Sequence, residues 1–189
     1  MKPQSAAMIV LLAALSAPVW ANTQILMETN AGDIVLELYD EDAPKTVANF
    51  LAYVEDGSYE GTVFHRVIDG FMIQGGGYDQ ELKKVPSGKP IDNEANNGRK
   101  NARGSIAMAR TADPHSASNQ FFINLVDNDF LNHTAESSQG WGYTVFGEVV
   151  EGMDVVDTIG KAKTGSSGPF PKDVPVEAIV IEKVSIKAP

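Results

Sequence analysis

One arginine, one glutamine and several large apolar side chains fall within a short stretch, Phe64-His65-Arg66-Val67-Ile68-Asp69-Gly70-Phe71-Met72-Ile73-Gln74-Gly75-Gly76. A second stretch, Ser118-Asn119-Gln120-Phe121-Phe122-Ile123-Asn124, adds three more amides and two aromatic rings. Side chains alternate across a strand, so Phe64 and Arg66, two residues apart, are expected on one face. Gly70 permits a turn, which returns Phe71, Met72 and Gln74 on the next short strand. The outcome is one cation, an amide and a group of apolar surfaces converging. Taken singly, Phe71, Met72 and Phe122 would be read as core, and Arg66 as a solvated or ion-paired surface residue.

The familiar reactive sets are missing. The chain has no cysteine, which removes disulfides, thiolate nucleophiles, Cys-ligated zinc and a lipidated N-terminal cysteine. Its three histidines, His65, His115 and His133, match no zinc-binding spacing, and His115 and His133 are expected in solvated loops. There is no G-x-S-x-G nucleophile elbow. Gly75-Gly76-Gly77 fits neither phosphate-binding glycine pattern and reads as a flexible turn leaving a strand. Carboxylates are plentiful, but no pair can be given acid and base roles. No metal and no cofactor are expected. Acidic residues outnumber basic ones 25 to 15, for a net charge of −10, and a surface of that sign repels phosphate backbones. Nucleic acid is therefore not an expected partner.

The elements that must position these residues are short. Two strand-like runs, Gln24 to Thr29 and Asp33 to Leu38, flank Asn30-Ala31-Gly32 as a hairpin. Val47, Phe50, Leu51 and Val54 follow a helical period, with Asp42 as the expected cap, Pro44 in the first turn and Gly57 as the stop. Strand-like pieces follow at Thr62–Val67, Phe71–Gln74, Ser105–Ala109, Phe121–Asn124 and Tyr143–Val149. A second short helix is expected over Met153–Ile159, then a Gly/Pro/Ser loop over Thr164–Pro171 and a last strand within Val176–Ile186. The polar stretches 78–103 and 132–142 read as long loops, of the kind that carry function. Many short strands with two helices suit an antiparallel barrel plugged at its ends, although periodicity alone leaves a β-sandwich open.

With 189 residues the chain is long enough for one domain with a proper core. Residues 1–21 read as a cleavable export signal. Lys2 supplies the positive start, Ala6 to Ala17 the apolar run, and Val19-Trp20-Ala21 a small-residue cleavage site. That run of about 12 residues falls short of the roughly 20 that span a bilayer, so no stable membrane anchor is expected after cleavage. The mature domain is then 22–189, in a periplasmic setting.

The two stretches above resemble the cyclophilin family of peptidyl-prolyl cis–trans isomerases, whose hallmarks are F-H-R-x-I-x-G-F-M-x-Q-G-G and S-x-Q-F-F-I. Gly104-Ser105-Ile106-Ala107-Met108-Ala109, Val145-Phe146-Gly147 and Gly152-Met153-Asp154 extend the resemblance from about Gln24 to the C-terminus. It implies a closed eight-stranded antiparallel β-barrel capped by two α-helices. It also implies a catalytic group of Arg66, Phe71, Gln74 and Phe122. Met72, Ala109, Arg110, Gln120, Phe130, Leu131 and Tyr143 would then form the substrate-binding surface. The implied partners are proline-containing polypeptides, among them unfolded or partly folded exported proteins, bound by a monomer.

The chain departs from many eukaryotic members at Phe130, where they carry Trp, and at Tyr143, where they carry His. A longer loop containing Trp141 lies between these positions, and together the departures resemble the bacterial periplasmic branch. A competing reading is a proline-peptide binding module or holdase chaperone that uses the same groove without turnover. Arg66 beside Gln74 favours the enzyme, because binding alone needs no donor for a transition state.

Overall fold

The computed structural model describes residues 22–187, so the expected export signal at 1–21 lies outside the described residues. The first two strands, β1 (Gln24–Thr29) and β2 (Gly32–Leu38), form the expected hairpin, with Gln24 opposite Glu37 and Thr29 opposite Gly32. Its turn is locked locally. The Thr29 hydroxyl donates to the Gly32 carbonyl at 2.6 Å and accepts the Ala31 N–H at 3.1 Å. β1 alternates strictly, burying Ile25 and Met27 and turning Gln24 and Leu26 outward.

Helix α1 (Pro44–Glu55) buries Val47, Phe50 and Val54 of the stripe expected from the helical period, while Leu51 is half-buried against the same core. Its cap differs from the expectation. Ala43, not Asp42, occupies the N-cap, and the carboxylate of Glu94 accepts the Lys45 and Thr46 N–H groups at 3.1 and 2.9 Å. Negative charge at a helix N-terminus meets the positive end of its dipole and satisfies orphan donors. Asp42 instead accepts the Arg99 Nε–H at 2.7 Å.

The remaining strands are β3 (Arg66–Ile68), β4 (Met72–Gly75), β5 (Ser105–Met108), β6 (Phe121–Asn124), β7 (Val145–Glu151), β8 (Thr164–Ser167), β9 (Phe170–Pro175) and β10 (Ile181–Ile186). Helix α2 (Met153–Gly160) follows β7. Eight strands make one antiparallel sheet in the order β10-β1-β2-β7-β5-β6-β4-β3. The fold is the expected β-barrel with two helices, but its closure is light. β3 and β10 are not paired as strands. The gap is bridged by the segment before β3, through Gly61 N–H to Ile181 O, Ile181 N–H to Thr62 O and Phe64 N–H to Ile179 O. The Gly/Pro/Ser stretch expected as a loop is also different: it forms the β8–β9 hairpin, which brings Phe170 against Tyr78 and His65 at 5.0 and 5.5 Å between ring centres.

Strands β4, β5, β6 and the start of β7 (Val145 to Gly147) are covered on both faces, and their side chains alternate between two cores. Ile73, Ile106, Phe121, Ile123 and Phe146 fill the barrel with α1, where Phe50 meets Tyr59, Phe121 and Phe146 at 5.1 to 5.7 Å. Met72, Ala107, Phe122 and Val145 point the other way and build a smaller outer cluster with Tyr39 and Leu131. Phe64 and Arg66 do not share a face as expected. Phe64 packs in the barrel and hydrogen-bonds to Ile179, and Phe64 and His65 lie outside any strand before β3 begins, so the simple alternation fails there.

His65 sits in that interruption, 2% exposed, with its Nδ1 unbonded. Burial pushes its pKa down to about 4, opposed by the Val63 backbone and reinforced by the Arg66 charge. The unfolded chain protonates at the ordinary value near 6.5 and the folded chain only near 4. Stability from the neutral ring is therefore full above about 6.5 and is lost as pH falls through that window. Urea unfolding at pH 7 and pH 4 should show the wild type losing on the order of 3 kcal/mol more than His65→Phe. Equal losses would show that the buried imidazole does not control this response.

Candidate functional site

The outer cluster ends in an open pocket of about 210 Å³ lined by Arg66, Phe71, Met72, Gln74, Ala109, Arg110, Phe122, Leu131 and Tyr143. Register brings these residues together. Arg66 lies opposite Gln74 across β3–β4, Gln74 opposite Phe122 across β4–β6, and Ala107 opposite Phe122 across β5–β6. Met72, Phe122 and Leu131 are buried and form the apolar floor. Phe122 meets Tyr143 edge to face at 5.6 Å, and the Arg110 guanidinium lies 4.7 Å over the Tyr143 ring.

Arg66 is half-buried and makes no ion pair with a carboxylate of the described residues. Its Nη1 donates to Gln74 Oε1 at 3.4 Å, and Gln74 Nε2 donates in turn to Gln120 Oε1 at 3.0 Å. This leaves a guanidinium aimed by neutral amides beside an apolar floor. Such a group keeps its remaining N–H donors, and its uncompensated charge, for a newly arriving acceptor. The lining holds no carboxylate, and the described residues contain no cluster of three or more potential metal ligands. The arrangement can seat an apolar ring and stabilise electron density that appears next to it. It holds no side chain placed to attack a carbonyl.

Nine of the eleven residues expected at the site line the pocket. Gln120 stands one hydrogen bond behind it, through Gln74. Phe130 is on the rim, 75% exposed, with its ring stacked on Phe71 at 5.6 Å. A set of buried asparagines that the residue pattern did not single out fixes the pocket from behind. Asn128 Nδ2 donates to the Phe71 carbonyl and to Asn124 Oδ1 at 3.0 and 2.7 Å, and Asn124 Nδ2 donates to the Ser105 hydroxyl at 2.8 Å. Asn101 Nδ2 reaches the Leu131 carbonyl at 3.2 Å. Buried amides with their partners in place rigidify a site, because leaving any one unpaired is costly.

The glycine run is not the flexible turn expected from its composition. Gly76 has φ +81°, and a Cβ there would lie 2.9 Å from the Asn119 carbonyl oxygen and from the Phe121 ring. At Gly77 a Cβ would lie 2.4 Å from Gln120 Cγ and Cδ. Gly77 thus leaves room for the Gln120 side chain that steadies Gln74.

The chain matches the family model "Cyclophilin type peptidyl-prolyl cis-trans isomerase/CLD" over residues 24–186. It is 59% identical to peptidyl-prolyl cis-trans isomerase B of Escherichia coli (strain K12) over 162 residues, 86% of this chain and 98% of the relative. It is also 59% identical to peptidyl-prolyl cis-trans isomerase cyp18 of Streptomyces antibioticus over 160 residues, 85% of this chain and 96% of that protein. The crystal structure of a Cryptosporidium parvum cyclophilin type peptidyl-prolyl cis-trans isomerase superposes with a TM-score of 0.71 at 29% identity, covering 89% of this chain and 99% of the other.

Gly77→Ala should force Gln120 away from Gln74. The side-chain amide signals of Gln74 and Gln120 should then move in the ¹H–¹⁵N spectrum while the methyl signals of the barrel core stay in place. Unmoved amide signals would mean that Gly77 does not set this contact.

Proposed function

Because this chain belongs to the cyclophilin-type peptidyl-prolyl cis–trans isomerase family and is an isomerase of that kind, we propose that Arg66 carries the reaction by donating to the imide nitrogen of a twisted X–Pro bond. Partial double-bond character holds the X–Pro bond planar, and uncatalysed exchange takes tens to hundreds of seconds. In either planar state the nitrogen lone pair is delocalised and accepts poorly. As the bond twists, the lone pair localises on nitrogen and becomes an acceptor. A guanidinium held beside it favours the twisted state over both planar ones, which is what acceleration requires. Bonds are neither made nor broken, so no nucleophile is called for.

The observation that supports this reading most strongly is the Arg66–Gln74–Gln120 relay beside the apolar floor of Met72, Phe122 and Leu131. Phe71, Met72, Phe122 and Leu131 would hold the proline ring, while Gln74, Ala109, Arg110 and Gln120 orient the peptide and Phe130 and Tyr143 flank it. The related Cryptosporidium parvum isomerase has a crystal structure in the presence of the dipeptide Ala-Pro, at a TM-score of 0.70 to this chain. Proline-containing peptides are the substrates we assign here. Fixing the ring and the peptide limits motion to the rotating bond. A thousandfold acceleration needs about 4 kcal/mol, within reach of a charge-assisted hydrogen bond in a partly desolvated pocket plus orientation.

Arg66→Ala should cut kcat/KM on an Ala-Pro peptide by roughly 100-fold or more with an unchanged circular dichroism spectrum. Arg66→Lys should recover little of it, because an ammonium is a point charge that cannot be held by the same fork. Near-normal exchange in folded Arg66→Ala would contradict the assignment. We further propose that the clients are exported polypeptides, on the strength of Lys2, the apolar run Ala6 to Ala17 and the small residues before Asn22. Expression of the full chain in a Gram-negative bacterium should give a periplasmic protein whose N-terminal residue is Asn22. A cytoplasmic protein that retains residues 1–21 would refute export.

A further inference from the structure

The pocket carries a charge opposite to that of the chain. Net charge is −10, yet the nine lining residues include two arginines and no acid. The chain has four arginines. Arg99 and Arg103 are bonded to Asp42 and Asp157, whereas Arg66 and Arg110 have no carboxylate partner among the described residues. Arg66 is aimed by Gln74. Arg110 stands outside that chain of amides.

Arg110 is nevertheless held in place. Its Nε donates to the Gly142 carbonyl and its Nη1 to the Thr111 carbonyl, both at 2.9 Å, and its guanidinium lies over the Tyr143 ring. These bonds leave Nη2 uncommitted among the described contacts. All of its partners are neutral, so its positive charge is not compensated locally. A surface arginine normally loses side-chain freedom when it binds an anion, and here much of that loss has already been taken in folding. Tyr143 and Arg110 belong to the same wall, and both face the cavity that Arg66 enters from β3.

Resting on the isomerase reading above, we infer that Arg110 is a specificity-determining residue. It favours substrates that carry a carboxylate side chain within two residues of the proline. An extended peptide advances about 3.3 Å per residue, so side chains two positions away remain within reach of a long arginine in a pocket this small. The charge also acts before contact, by raising the encounter rate of acidic segments with an otherwise repelling surface.

The test uses Ala-rich Xaa-Pro peptides in which one position, from two before to two after the proline, is Glu, Gln or Lys. The readout is enzyme-catalysed exchange by NMR, corrected for the uncatalysed rate of each peptide. At low ionic strength the wild type should prefer Glu over its neutral isostere Gln by roughly threefold to fivefold in kcat/KM at one or more positions. Lys should fall below Gln at those positions. The preference should shrink as salt is raised, and Arg110→Gln should bring the Glu/Gln ratio close to one, whatever happens to the rate common to both peptides. Equal rates for Glu and Gln at every position in the wild type, or an undiminished ratio in Arg110→Gln, would overturn the inference. Absence of exchange on the Gln peptides would be a different failure, because it would overturn the isomerase mechanism on which the inference rests.

Discussion

The double burial of strands β4, β5, β6 and the start of β7 is the constraint from which the rest of this molecule follows. Each of these strands has a side-chain period of two, so every other residue fills the barrel and the residues between them face outward. The barrel face takes Ile73, Ile106, Phe121 and Phe146, and the outward face takes Met72, Ala107, Phe122 and Val145. A slip of one residue in β6 would turn Phe121 and Ile123 to the outer face and Phe122 to the barrel face, so the core and the pocket floor would be misbuilt together. Stability and site geometry are thus set by one register. The lightly closed seam between β3 and β10 lies next to Arg66, at the edge of the sheet rather than in its doubly buried middle.

The chemistry asks little of the protein beyond placement. Rotation about an imide needs a grip on the ring, a fixed peptide and a donor that becomes useful only when the bond has twisted. Neutral amides suit the task of aiming that donor. A carboxylate beside Arg66 would hold the guanidinium in the ground state and weaken its response to a nitrogen lone pair. The relay through Gln74 and Gln120 orients without neutralising, and Gly77 leaves the room it needs. The asparagines behind the pocket serve the same end by fixing the backbone at Phe71 and Leu131.

Local patterns were readable in the residues, and long-range ones were not. The β1–β2 hairpin and the buried stripe of α1 depend on neighbours in the chain, so period and turn residues were enough to find them. The cap of α1 was missed because Glu94 comes from a loop about 50 residues away, a distance at which no local rule identifies a partner. Gly75 to Gly77 looked flexible by composition, but close packing against Phe64, Phe121 and Gln120 is what excludes a side chain there. The stretch 164–171 looked like a loop because Gly, Ser and Pro are poor strand formers. Its two arms pair with each other in an outlying hairpin, where propensity matters less than context. For the site, the two hallmark stretches supplied most of the pocket. Phe130 and Gln120 show the limit of that reading, since residue type alone does not separate a rim or a support from a lining position.

The central claim is that Arg66 acts on the twisted state and contributes little to holding the peptide. The most direct measurement is to titrate an Ala-Pro peptide into wild type and Arg66→Ala and to record, on the same samples, both the dissociation constant and the exchange rate of the bound peptide. Similar affinity for the two proteins, with exchange in the bound state slowed roughly 100-fold or more in the variant, is the predicted result. Affinity that collapses while the bound peptide still exchanges at the wild-type rate would contradict it, and would make Arg66 a binding residue in a pocket that catalyses by other means.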